Sequence, residues 1–453
     1  MTDHRQIRLG AFLMTTGHHA ASWRHEEALP HAALDLDYFK SIAAKAEAAR
    51  FDLLFVADSP AGWPVQDERL LRYRGTQAGF EPVTLWAALA AVTTHIGFVA
   101  TASTTYEDPY LLARKFASLD WLSKGRSGWN VVTTGADVSA NFSLKGHPRH
   151  ADRYERAREF VGLVKQLWDS YEDDAFTRDK ASGVYLDPAK IHRANHVGKH
   201  FSVTGPLNVQ RPPQGYPVIV QAGASEDGRD LAAETAEVIF TANLNLADAQ
   251  AFYSDVKGRL GKFGRRPEEL LIMPGLFPVI GGTEAEAQAK LEHIHGLTHP
   301  DIVWSIVRQY YDGSDFTGWS LDDKAPPLPG DTELNKSRLK LVSDYVEREN
   351  PTLRQLYTTL AGARGHHVVV GTPEHVADVA EQWFREGAAD GFNIMPPILP
   401  SGLDDFIEQV LPILRRRGLF RDEYEGRTLR ENLGLARPEN GFVSAQREQA
   451  VLA

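Results

Sequence analysis

Cysteine is absent from the 453 residues. That absence removes disulfides, thiolate metal sites and cysteine nucleophiles together. No run approaches the ~18 apolar residues of a membrane span. The opening M-T-D-H-R-Q-I-R has no apolar signal core, so a cytoplasmic protein is the expectation. Positive charge is in deficit as well. Lys plus Arg number 49 against 60 Asp plus Glu, and the net charge of −11 argues against a nucleic-acid partner or an anionic membrane. No G-x-G-x-x-G occurs, so nothing marks a dinucleotide-binding sheet. The remainder is ordinary, with 43% hydrophobic residues, enough for a substantial core.

The chain repeats one unit, an apolar run followed by a helical pattern. Sequence predicts strands at 7–14, 53–57, 96–102, 128–133, 218–220, 238–241, 271–280 and 392–395. It predicts helices at 36–50, 82–93, 110–122, 152–168, 230–236 and 247–263. Eight strands so arranged give an α/β protein of the (β/α)8 TIM-barrel type, with a doubly wound sheet as the alternative. Residues 1–453 read as one domain. Two segments exceed the repeat: 171–213, and 284–371 between strands seven and eight, read as a helical insertion or lid. Residues 420–453 form a C-terminal extension.

The most informative stretch is Y-P-V-I-V-Q-A-G-A-S-E-D-G-R-D-L-A-A-E-T-A-E, residues 216–237. A β-run ends at small residues, Ser225 occupies an N-cap position, and a helix follows. Such a turn offers N–H groups and a hydroxyl to an anion such as phosphate, and equally reads as a plain helix cap. Glu226 and Asp227 have the wrong sign for phosphate but are ordinary in a first helical turn.

Active sites in this fold lie at the C-terminal strand ends. Those ends supply His18 and His19, Asp58, Thr104, Asn130, then His150 and Tyr154, and finally Ser225. The set is mostly neutral hydrogen-bonding groups, which suits a heteroaromatic cofactor with a phosphate tail better than a two-carboxylate hydrolase. Each has a plainer reading: Asp58 as a turn cap, Thr104 as a strand-end hydroxyl, His150 and Tyr154 as a packed helical pair. His192 and His196 imitate a metal pair but lack the glutamate of a zincin, and no metal is expected. His366-His367 and His293-x-His295 read as surface or structural groups, and Glu172-Asp173-Asp174 as a solvated acidic patch.

At these residues the chain resembles the bacterial-luciferase-like flavin monooxygenases. The resemblance is carried by F-D-L-L-F-V-A-D closing at Asp58, S-G-W-N-V-V-T, H-A-D-R-Y-E-R-A and Q-A-G-A-S-E-D-G-R. It extends through K-I-H-R-A-N-H-V-G-K-H-F, G-P-L-N-V-Q-R-P-P-Q-G and L-R-E-N-L-G-L, nearly the whole chain. The branch is that of nitrilotriacetate monooxygenase component A and dibenzothiophene-sulfone monooxygenase. The resemblance implies FMN, used as FMNH2 delivered by a separate NAD(P)H:flavin reductase, and O2 activated as a flavin C4a-(hydro)peroxide. It implies Asp58 and Thr104 on the flavin ring or ribityl chain, Asn130 on a ring edge, and His150, Tyr154 and Ser225 at the phosphate end. Relatives often carry a hydroxyl where Ala224 stands. They are commonly dimers, so a homodimer or higher homo-oligomer is expected.

The substrate implied by the resemblance is an aminopolycarboxylate such as nitrilotriacetate. The alternatives are a sulfone, a thioether or another small organic, and, in a different class, a barrel hydrolase. A polycarboxylate needs local cations. D-E-R-L-L-R-Y-R-G places Arg69, Arg72 and Arg74 above the barrel mouth, and Arg24 follows strand one. The same arginines can equally pair with Asp67, Glu68 and neighbouring acids on a solvated loop.

Overall fold

The computed structural model describes residues 5–61, 68–75, 79–144, 146–223, 225–311, 313–329 and 336–452. Eleven strands are present among these. They are β1 (Arg8–Phe12), β2 (Leu53–Val56), β3 (Gly97–Ser103), β4 (Ser127–Val132), β5 (His196–Val197), β6 (Ser202–Val203), β7 (Val218–Gln221), β8 (Val238–Thr241), β9 (Leu271–Ile280), β10 (His367–Gly371) and β11 (Gly391–Ile394). Eight pair in parallel in the ring order β1-β2-β3-β4-β7-β8-β9-β11, and β11 returns to β1 through Gly10 opposite Asn393. The expected (β/α)8 barrel is therefore closed.

The strands form because both faces of each are buried. Leu9, Leu54, Phe98, Trp129, Ile219 and Ile394 pack outward beneath the helices. Phe12, Phe55, Val99, Val220, Phe240 and Met273 point into the barrel. This two-sided burial turns alternation into the unbroken apolar runs visible in the sequence. The helices begin on side-chain caps: Asp35 accepts from Asp37 and Tyr38 N–H, Glu81 from Val83 and Thr84, and Asp108 from Leu111.

Two features position the site. The first is the barrel floor. Glycine at 97 and 128 leaves space on the axis that Leu429 fills, since a Cβ on Gly97 would lie 2.5 Å from Leu429 Cδ1. The segment carrying Leu429 is tied beneath the barrel by buried ion pairs. Arg421 meets Asp52 at 2.8 Å, and Arg430 meets Glu237. The second is the rim. The stretch after β9 carries helices Glu284–Gly296, Pro300–Tyr310, Lys336–Glu349 and Leu353–Ala361. Its last residues were expected to be helical, but they form β10, which extends the sheet beyond the ring along the upper half of β9. H-V-V-V-G is β-branched and finds free backbone edges there, so strand wins.

Candidate active site at the barrel mouth

Phe12, Phe55 and Phe240 pack with ring centroids 4.6 to 5.5 Å apart inside the barrel. His18 packs edge-on against Phe12 at 4.4 Å and His366 stacks on Phe240 at 4.8 Å. This is an apolar, aromatic level below the mouth, and polar atoms crowd above it.

On the β4 and β7 side, Ser225 caps helix Glu226–Thr235 as sequence predicted, its Oγ accepting from Gly228 N–H at 3.1 Å. Tyr154, from helix His150–Trp168, brings its hydroxyl to 3.2 Å from Ser225 Oγ. Gly228 makes this convergence possible: a Cβ there would lie 2.9 Å from Ser225 Oγ and 3.2 Å from Tyr154 Oη. The His150 ring packs on Tyr154 at 4.8 Å, and its Nδ1 lies 3.3 Å from Asp227. The structure thus brings His150, Tyr154 and Ser225 into one cradle. Ala224 lies outside the described residues.

The neighbouring strand ends hold buried amides with unused capacity. Asn130 donates to Thr101 Oγ1 at 2.9 Å, but its Oδ1 is buried without a partner. Gln221, one step along β7, reaches the Gly228 carbonyl with Nε2 and leaves Oε1 unpaired. Buried polar atoms are rarely left so, and a ligand bearing N–H donors supplies what they lack. Thr104 is fully buried, its hydroxyl donating to the Val132 carbonyl at 3.2 Å. The hydroxyls, amides and glycine-lined cradle fit a phosphate-tailed flavin.

Asp58 stands at the rim with one side open to water. Loss of water on the other sides pushes its carboxyl up to about 6. Glu81 and Glu107 add to the rise, and a hydrogen bond from the Ser59 N–H opposes it.

Opposite the cradle, His18 and His19 are buried. His18 Nε2 donates to the Phe12 carbonyl at 2.9 Å, and burial brings its pKa down to about 3. His19 is likewise held neutral by burial and by the nearby His295. Arg24 turns outward and donates to the Leu297 carbonyl, at the end of helix Glu284–Gly296. Arg72 is exposed on helix Glu68–Tyr73, and Arg74 is half-buried just beyond it. The Arg69 side chain and Asp67 lie outside the described residues.

The plainer readings resolve in several ways. His295 and His366 take the structural alternative: His295 stacks on His19 with centroids 5.0 Å apart, and His366 Nδ1 donates to the Thr241 carbonyl at 3.1 Å. His192 and His196 each meet a separate carboxylate at 2.9 Å, Glu172 and Glu159. Glu172, Asp173 and Asp174 are not merely solvated, because His192, Arg211 with Arg437, and Lys190 take them up. On the outer face, ligand-type atoms of His25, Glu26 and His293 lie within 4.8 Å of one another. Sequence reasoning also missed Arg156, which donates to the Thr104 carbonyl at 3.0 Å while lying over Phe201. Its position two residues after Tyr154 was the available cue. Among the described residues no helix is long and apolar enough to cross a membrane.

Comparison with known proteins fixes the class. The family profile of luciferase-like monooxygenases matches residues 12–390. The chain is 52% identical to N-acetyl-S-(2-succino)cysteine monooxygenase of Bacillus subtilis (strain 168), over 97% of this chain and 99% of that one. It is 48% identical to nitrilotriacetate monooxygenase component A of Aminobacter aminovorans, over 98% and 99%. The crystal structure of DmoA from Hyphomicrobium sulfonivorans superposes with a TM-score of 0.84 at 34% identity, covering 95% and 92%. A barrel hydrolase is thereby set aside. The chain belongs to the luciferase-like, FMNH2-dependent monooxygenases.

Proposed function

We propose that the chain holds FMNH2 across the barrel mouth and oxidises a polycarboxylate whose nitrogen or sulfur adjoins a carboxylated carbon. What supports the substrate class is the pair of relatives at 52% and 48% identity. Nitrilotriacetate carries three carboxylates around nitrogen, and N-acetyl-S-(2-succino)cysteine carries three around a thioether. What supports the cofactor's orientation is the cradle of Ser225, Tyr154 and Gly228 beside the unpaired amides of Asn130 and Gln221. In this reading Ser225, Tyr154 and His150 take the phosphate, while Asp58, Thr104 and Asn130 face the ribityl chain and ring.

When bound, the reduced flavin supplies two electrons, so that one atom of O2 enters the substrate and the other leaves as water. The carbon beside the heteroatom exchanges C–H for C–OH, and the adduct then loses its C–N or C–S bond to give an amine or thiol and an oxo acid. The chain's part is to orient the substrate carbon and exclude water, with the helical stretch after β9 serving as lid. A separate reductase supplies FMNH2, in keeping with the name "component A" of one relative. Assembly as a homodimer is part of the same reading, supported by the exposed apolar side chains Val92, Leu111 and Leu122. Light scattering tests it.

A second reading, a sulfone or neutral thioether, is favoured by the aromatic level of Phe12, Phe55 and Phe240. Turnover with a flavin reductase, NADH, FMN and O2 separates the two. Nitrilotriacetate, N-acetyl-S-(2-succino)cysteine and dibenzothiophene sulfone would be compared by product analysis. Faster turnover of the sulfone than of either acid would replace the first reading with the second.

A further inference from the structure

A second set of buried polar atoms lies across the mouth from the cradle, because β1 stands four strands from β7 in the ring of eight. His19, in the loop after β1, is 2% exposed. Its Nδ1 accepts from Ala21 N–H at 3.1 Å, which leaves the proton on Nε2, and that N–H has no partner. His295, at the end of helix Glu284–Gly296, stacks on it at 28° between ring planes, with Nε2 also unpartnered. Tyr357, 4% exposed, has its ring 6.0 Å from that of His295, and its hydroxyl lies beside the buried Thr298 hydroxyl with no hydrogen bond of full geometry to any group. Gly362 lets the end of this helical stretch seat against the rim: a Cβ there would lie 2.6 Å from Phe277 of β9 and 3.3 Å from His19.

We propose that His19 Nε2, His295 Nε2 and Tyr357 Oη together bind one carboxylate of the substrate. The assignment rests on the polycarboxylate reading and gives it an anchor. His19 Nε2–H is a buried donor without an acceptor, and His295 Nε2 and Tyr357 Oη are buried beside it without partners, each able to donate. Such a set is costly to bury unless a ligand completes it, and an anionic oxygen pair is the strongest acceptor available. The donors are neutral because burial holds both imidazoles uncharged. Neutrality suits a site that empties in every cycle, since a buried guanidinium would be left without a counter-charge each time product departs. The anchor joins the loop after β1 to the helical stretch, so an acid seated there also holds the lid down. Arg24 does not compete for this role, being turned to the Leu297 carbonyl.

Calorimetry on the FMN-loaded protein tests it, with nitrilotriacetate and N-acetyl-S-(2-succino)cysteine as probes beside their methyl esters. Tyr357→Phe removes one hydroxyl, and His295→Phe keeps the stacked ring while removing the N–H. Each should weaken the acid that wild type binds by roughly tenfold or more, with ester affinity within about twofold of wild type and FMN affinity unchanged. Wild type binding an acid, with both variants equal to it, overturns this assignment alone. Wild type binding neither acid overturns the assignment and the polycarboxylate reading together.

Discussion

Tyr154 Oη and Ser225 Oγ stand 3.2 Å apart although 71 residues separate them in the chain. Two hydroxyls meeting at a helix N-terminus beside a glycine form a small oxyanion receptor. Ser225→Ala and Tyr154→Phe should each weaken FMN binding roughly ten- to a hundredfold, the value of a charge-assisted hydrogen bond. Gly228→Ala should do likewise without removing a donor, because its methyl would press on Ser225 Oγ. Fluorescence titration checks all three, and unchanged affinity in Ser225→Ala would place the phosphate elsewhere.

Division of labour is the second prediction. The purified chain alone should not consume NADH, yet it should turn over with an unrelated flavin reductase. Rapid NADH loss without any reductase contradicts it.

The arginines give a third. Arg72→Ala or Arg74→Ala should raise KM for a polycarboxylate and leave FMN binding intact. The Arg72 effect should shrink with added salt, since that side chain is exposed. Equal KM in both variants at low salt would remove these cations from substrate recognition.

Acid sensitivity is the fourth. Burial lowers the pKa of His18 to about 3 and of His295 to about 4. Unfolded, both titrate near about 6.5, so the unfolded chain takes up protons first as pH falls. Stability is therefore full above about pH 6.5 and declines from there toward pH 4, by roughly 1 kcal/mol per pH unit for each histidine. Urea unfolding at pH 7.5, 6 and 5 measures the slope. His18→Gln and His295→Phe should flatten it, and a slope unchanged in both variants would count against the buried neutral state.

Beneath the barrel, Arg421→Ala would remove the ion-pair partner of the buried Asp52, leaving it the Leu9 N–H and the nearby Arg8, and should cost up to about 3–5 kcal/mol. Leu429→Ala should cost about 2–5 kcal/mol by opening a cavity on the axis. FMN affinity should not change in either, because the cradle lies at the opposite end. A loss below about 1 kcal/mol in Leu429→Ala would mean that the floor collapses around the gap.

Much of this was legible in the chain. Val238–Thr241 and Leu271–Ile280 fall where their apolar runs begin and end, because strands buried on both faces leave no polar interruption. Ser225 was legible as a cap since capping chemistry is local. The stacking of His19 on His295 was not, because nothing in either neighbourhood encodes a contact between a β1 loop and a helix beyond β9. Arg24 was placed over the mouth by its position after strand one, but the free carbonyl at the end of a distant helix took it. The acidic run at 172–174 misled for the same reason, its partners Arg211 and Arg437 coming from other segments.

The floor of the barrel is laid last. Leu429 and Arg421 leave the ribosome after all eight wall strands, yet Gly97 and Gly128 hold open the slot that Leu429 fills, and Asp52 faces the place where Arg421 arrives. Until then the nascent barrel has a wet axis and, at its base, a carboxylate held only by the Leu9 N–H and the nearby Arg8, the kind of incomplete core that chaperones and proteases recognise. Completion of the native core is thus timed by the arrival of this segment rather than by the eighth strand.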